Sequence, residues 1–156
     1  MTNYANLEKL GKAGVKTANF NSTFGGKALL SGLDFVHAIS GLGDDATSWA
    51  MFAYVNLNHD ASSFNKLVVK LTYEAQRSIA GVQLVTCLYV VSFVLMHRSN
   101  SVDRMNYSKL AKTLKITPQA LYQNKKLNRI IDFTVGRVDE WERQISAVVE
   151  LHLKRG

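Results

Sequence analysis

An all-α fold is what this chain predicts, and three observations predict it. One proline stands among 156 residues, so little interrupts a continuous backbone hydrogen-bond ladder. Apolar side chains recur at spacings of three and four over most of the chain, the period of a helix face and not of a strand. The apolar stretches are punctuated by Gly, Ser, Thr and Asp, residues that end and begin helices. At 47% hydrophobic residues, the chain holds enough apolar surface for one domain with a true core.

Taken in order, the elements follow from local chemistry. Met1 to Lys27 breaks the helical period with eight Asn, Ser and Thr residues and with glycines at 11, 14, 25 and 26. Residues 1–29 are therefore expected to form a mobile N-terminal arm ahead of a compact helical domain at 30–156. The arm carries Lys9, Lys12, Lys16 and Lys27 against Glu8, a balance that suits solvent, nucleic acid or a partner protein. Ser31 is placed to cap a short helix through Leu33, Phe35, Val36 and Ile39, ended by Gly41. Asp44 and Asp45 suit the positive end of a helix that buries Trp49, Phe52, Ala53 and Val55. Ser62 or Ser63 begins the next, where Phe64, Leu67, Val68, Leu71 and Ala75 make one face and Lys66, Lys70 and Arg77 the wet side.

Val82 to Met96, VQLVTCLYVVSFVLM, has no charged residue. It is shorter than the roughly 20 apolar residues a membrane span needs, and a buried central helix is expected, opened by Gly81 and closed by His97 and Arg98. A polar linker at Ser99–Met105 leads into Tyr107–Ile131, which reads as a helix-turn-helix. Leu110, Ala111 and Leu114 form the inner face of its first helix, with Lys109, Lys112 and Thr113 outward. Ile116 follows in the turn, where Lys115 occupies a position that such motifs often give to glycine. Thr117 is an N-cap and Pro118 takes the first helical position, where a missing N–H costs nothing. Leu121 packs inward while Gln119, Tyr122, Gln123 and Lys126 face outward, offering amides, a ring and a cation to base edges and phosphates. In the closing helix, Phe133, Val138, Trp141, Ile145, Val148, Val149 and Leu151 make the apolar side. Asp139, Glu140, Glu142, Arg143 and Glu150 are expected on the other side, with Glu140 and Glu142 facing a basic protein surface if they face any partner.

Charge says what the helix-turn-helix meets. From Arg98 to Arg129 the basic residues are Arg98, Arg104, Lys109, Lys112, Lys115, Lys125, Lys126 and Arg129, against Asp103 alone, so eight minus one gives +7. The whole chain is also +7. The surplus is thus confined to the segment that would meet a phosphate backbone. Lys109, Lys112, Lys115, Thr117, Gln119, Tyr122, Gln123, Lys125, Lys126 and Arg129 are the expected DNA-binding residues.

Other chemistries find little support. Cys87 is the only cysteine, so no disulfide framework exists and a reducing cytoplasm is the expected compartment. His37, His59, His97 and His152 are dispersed, and neither a metal site nor a cofactor is expected. The N-terminus has no charged-then-apolar signal pattern. No glycine-rich phosphate loop or nucleophile elbow is present, and the adjacent Asp44 and Asp45 diverge around a helix, so an enzyme is not expected.

Three stretches in this order, LSGLDFVHAISGL, then FNKLVVKLTYEAQ with VQLVTCLYVVSFVLMHRS, then LAKTLKITPQALYQNKKLNRIIDFTVGRVDEWERQI, resemble the late-gene antitermination protein Q of lambdoid phages. The likeness covers about Leu30 to Val149. It implies a bacteriophage transcription antitermination factor that binds double-stranded DNA at a late promoter and loads onto paused bacterial RNA polymerase holoenzyme. Its implied partners are the polymerase, its sigma factor and the elongation factor NusA, with pausing and termination suppressed, and two protomers on DNA remain open. The chain departs from that family's pattern where a cysteine-rich zinc insert would stand, since only Ser99–Met105 occupies the place. A zinc-free, compact member is then implied. The residues alone also suit a helix-turn-helix repressor or plasmid or phage regulator that acts by occupying an operator.

Overall fold

The computed structural model describes residues 32–55, 61–100 and 106–155, and among them the regular elements are helices with no strand. The expected arm, the expected cap Ser31 and His59 lie outside the described residues. The helices are α1 (Gly32–Ile39), α2 (Asp44–Ala50), α3 (Ala61–Ser78), α4 (Leu84–Asn100), α5 (Tyr107–Thr113), α6 (Pro118–Gln123) and α7 (Lys125–Arg155), and α2 runs on into a turn of π-helix at Met51–Val55. They group into two compact units, one up to Phe64 together with Asp139 onward, the other from Asn65 to Val138.

The first unit is built on aromatic rings. Phe35 and Ile39, four apart on α1, are buried, whereas Val36 stays over a third exposed. Asp44 and Asp45 sit in the first turn of α2, where their charge complements the exposed N–H groups. Trp49 packs on Phe52 and on Trp141, with ring centroids 6.2 and 6.1 Å apart, and Phe52 meets Phe64 edge-on at 4.9 Å. Each such pair adds about 0.5–1.5 kcal/mol beyond the apolar area it buries.

Inside this cluster lies Glu142, only 3% exposed. Its Oε1 accepts from Trp49 Nε1 at 3.0 Å and its Oε2 accepts from the Tyr54 hydroxyl at 2.7 Å. The expectation of an outward Glu142 is therefore corrected. Val138, Glu142, Ile145 and Val149 are i, i+4, i+7 and i+11, one helix face, and a carboxylate can share that face when two buried donors meet it. The π turn is what lets both donors arrive: in a regular α-helix, residues five apart such as Trp49 and Tyr54 diverge by about 140°, and the wider π turn narrows that angle. Glu140, by contrast, is exposed, and so is half of Leu151, which was expected on the apolar side.

The second unit is aliphatic. Leu67, Val68, Leu71 and Ala75 of α3 are buried, as are Cys87, Val90, Val91, Val94 and Leu95 of α4, Leu110 and Ala111 of α5, Leu121 of α6, and Leu127, Ile130, Ile131 and Val138 of α7. Burial pushes the Cys87 thiol up, which keeps it protonated at neutral pH. Glu74 and Arg137 form an ion pair at 2.9 Å, and the Arg137 guanidinium also lies over the Phe133 ring at 5.1 Å. Being partly exposed, that pair contributes at most about 1 kcal/mol. Between α3 and α4, Gly81 has φ +77°, a left-handed conformation that costs glycine nothing.

One expectation for this unit changes. Helix α4 is buried on one side only, because Val85, Leu88, Tyr89 and Met96 remain 57, 39, 54 and 42% exposed. A helix apolar all round gives no periodic signal to say which face has a partner. No helix among the described residues is long and apolar enough to cross a membrane.

Candidate nucleic-acid interface

The basic segment is assembled by local capping. Asn106 N-caps α5, its side chain accepting from the Lys109 N–H at 3.0 Å. At the other end the Ile116 N–H bonds the Ala111 carbonyl and the Lys115 N–H bonds the Lys112 carbonyl, the paired closure that requires a left-handed residue between. Lys115 is that residue, at φ +60°. A glycine there avoids a strain of about 1 kcal/mol, so the position is what the sequence suggested and the side chain is the costly choice.

Thr117 then caps α6 as expected: its backbone is extended, its hydroxyl accepts from the Ala120 N–H at 3.1 Å, and Pro118 follows at the first helical position. Leu121 is fully buried beneath the short helix. The helix ends sooner than its apolar pattern suggests. Asn124 takes an extended backbone, its side chain accepts from the Leu127 N–H at 3.0 Å, and α7 starts at Lys125. Gln119, Tyr122 and Gln123 thus belong to α6, whereas Lys125, Lys126 and Arg129 occupy the first turns of α7. The expectation that Lys126 extends the same helix as Gln119 is corrected, and its ammonium donates to the Gly81 carbonyl at 3.3 Å.

Two residues absent from the sequence expectation fasten α6 in place. The Asn128 amide donates to the carbonyls of Leu121 and Asn124, both at 2.8 Å, so one side chain on α7 adds a second donor to carbonyls that already accept the backbone N–H groups of Asn124 and Asn128. Tyr107 stacks on Tyr122, centroids 4.5 Å apart and planes 22° from parallel, and its hydroxyl donates to Asn128 Oδ1 at 3.4 Å. Burial first, then the charge of Asp132 and the neighbouring Tyr122, pushes the Tyr107 phenol up, which keeps it a neutral donor. Part of the signal was in the sequence: Asn106 and Asn124 precede the starts of α5 and α7, and asparagine is among the best N-caps.

The outward chemistry is uniform. Lys109, Lys112, Lys115, Thr117, Gln119, Tyr122, Gln123, Lys125, Lys126 and Arg129 are all exposed, Tyr122 at 64%. From Asn106 to Ile131 there are six cations and no acid. Such a surface attracts a polyanion, and its amides and hydroxyl supply neutral donors and acceptors beside the charge. Arg104 lies outside the described residues.

Elsewhere, His37 meets His152 edge-on at 6.5 Å and His97 stacks on Phe93 at 6.3 Å. No group of three His, Cys, Asp or Glu side chains able to hold a metal ion occurs among the described residues. What the helices define is an all-α protein with one strongly basic, capped two-helix segment. No family model, curated protein or solved structure matches the chain.

Proposed function

We propose that the protein is a non-enzymatic transcription factor that binds double-stranded DNA through a helix-turn-helix made of α5, the Lys115–Thr117 turn and α6, extended by the first turns of α7. The observation that carries this reading is the acid-free run of exposed cations from Lys109 to Arg129, which holds most of the chain's surplus charge. In this role α6 offers Gln119 and Gln123 to base edges, and Lys109, Lys112, Lys115, Lys125 and Arg129 hold the flanking phosphates. Lys125 and Arg129 stand at the positive end of a long helix, an arrangement that an anion stabilises and that a second anion-free cation does not.

Within that class we propose late-gene antitermination in a phage-infected bacterium. Its support is the resemblance in motif order to the Q family, and the partners would be RNA polymerase holoenzyme with its sigma factor, and NusA. DNA contact then serves to load the protein onto a promoter-proximal polymerase. Affinity for DNA is modest and salt-sensitive, because a unit this small meets few phosphates and each contact contributes about 0.9 to the slope of log K against log salt. With Glu142 buried, Glu140 is the exposed acid of that pair left to meet a polymerase surface.

The test is transcription on immobilised late-promoter templates, with polymerase walked well beyond the promoter. The protein should remain with the washed elongation complex and raise readthrough of a downstream terminator. A protein that stays at its DNA site and only blocks initiation is an operator-occupying repressor. Loss of the interaction with DNA altogether would remove both readings.

A further inference from the structure

We propose that the outer face of the Tyr122 ring is a stacking site for an unpaired base of a DNA strand, so that the basic segment favours DNA with an exposed base over a fully paired duplex. This rests on the DNA reading of the same segment. Tyr122 is 64% exposed, yet its ring is not loose. One face is covered by Tyr107, with centroids 4.5 Å apart and planes 22° from parallel, so the exposed area belongs to the opposite face and the edge. Tyr107 in turn is half-buried and donates from its hydroxyl to Asn128 Oδ1 at 3.4 Å, while the Asn128 amide reaches the carbonyl of Tyr122 itself at 3.4 Å. One asparagine thereby ties the lower ring to the backbone that bears the upper one. The upper ring is held with a free face before any ligand arrives, and preorganisation of that kind lowers the ordering cost of binding.

Three arguments select the ligand. The first is shape: a braced, open aromatic face takes another flat ring, whereas a duplex hides the faces of its bases between neighbours and shows only their edges in the grooves. An unpaired base presents such a face. The second is charge. From Asn106 to Ile131 there are six cations and no acid, and all six cations are exposed, so the flat ring favoured here is one carried on a polyanion and not a side chain of a neutral or basic protein. The third is the neighbouring chemistry. Gln119 is exposed on the same short helix at i−3 from Tyr122, a spacing that makes the two side chains neighbours. An amide beside a stacked base can bond the Watson–Crick edge that unpairing has released.

Fluorescence anisotropy of the full chain reads its affinity for a short paired duplex, for the same duplex with a bulge of unpaired adenosines, and for the same bulge built from abasic sites. The abasic bulge keeps the phosphates and the flexibility and lacks the bases. The adenosine bulge should bind more tightly than the abasic one by roughly fivefold or more, the usual worth of one base stacked on an aromatic ring. A 2-aminopurine placed in the bulge should lose emission on binding as it stacks. Tyr122→Ala should bind the two bulges alike, and Tyr122→Phe, which keeps the ring, should still prefer the adenosines, with circular dichroism reporting that both variants are folded. Binding of the unsubstituted chain to both bulges with equal affinity overturns the proposal and leaves the DNA reading standing. Unchanged 2-aminopurine emission in the bound state overturns it too, as does a preference for the adenosines that survives in Tyr122→Ala. Binding to none of the three DNAs removes the DNA reading and this site with it. The comparison of the two bulges is made on the unsubstituted chain, so it decides the matter even where a variant does not fold.

Discussion

The cluster around Glu142 and the segment around Asn128 treat polar groups in opposite ways. In the first, a carboxyl group is taken out of water and held by Trp49 and Tyr54 within a shell of aromatic rings. In the second, every cation stays in solvent and the buried polar work is done by neutral amides and backbone carbonyls. Acidic and basic side chains on one helix, α7, thus serve different ends. Glu142 holds a core together, whereas Lys125 and Arg129 do little for the fold and are left available to an outside anion.

Removing the buried acid should break the comparison hardest. Glu142→Ala strands two buried donors, each costing about 1–3 kcal/mol, so stability should fall by about 3 kcal/mol in urea titration. Glu142→Gln keeps an acceptor and should lose less. DNA affinity of the folded variant should be unchanged in fluorescence anisotropy, and a large loss would show that the two regions are not chemically independent.

The next effect lies wholly on the basic side. Gln119→Ala or Gln123→Ala should weaken specific DNA binding by about 1–3 kcal/mol with little change in stability. Equal affinity of both variants and the original chain for the specific site would take α6 out of base reading. Asn128→Ala should act on both properties by a smaller amount. It removes the second donor from the carbonyls of Leu121 and Asn124, which keep their backbone N–H partners, and should cost about 0.5–1.5 kcal/mol of stability, with a parallel loss of specific binding as α6 loses its seat. Melting temperature and anisotropy measured on one preparation would separate these.

The smallest change sharpens the contrast most, because its two effects have opposite signs. Lys115→Gly relieves the left-handed strain and should raise stability by up to about 1 kcal/mol. It also removes a cation, so the salt dependence of DNA binding should become shallower by about 0.9. A variant that is more stable and binds with an unaltered slope would exclude Lys115 from the phosphate contacts.

What was legible in the sequence was local. Thr117 with Pro118, the paired aspartates at the start of α2 and the unusual lysine at 115 each concern a few neighbouring atoms, and the structure has them where their chemistry suggests. The break at Asn124 was hidden because Leu121, Leu127 and Ile130 continue an apolar helical pattern across it, with no glycine or proline to interrupt. Residue type points Glu142 outward, although its spacing from Val138 and Ile145 puts it on the buried face. Its donors are 93 and 88 residues away in the chain, a pairing that no local pattern expresses. The open side of α4 was illegible for a different reason, since uniform composition conceals which face is covered.

The aromatic cluster has an optical consequence. Trp49 and Trp141 are the chain's whole tryptophan complement, and they stand 6.1 Å apart beside Glu142. Emission excited at the red edge therefore reports the surroundings of that carboxylate and is blind to the basic segment, where the stacked phenols of Tyr107 and Tyr122 are the chromophores. A denaturation followed by that emission and by far-ultraviolet circular dichroism would yield two curves, one for the Glu142 cluster and one for the helices as a whole. Coincident curves mean that the two units melt as a single cooperative body, and separated curves give the order in which they come apart.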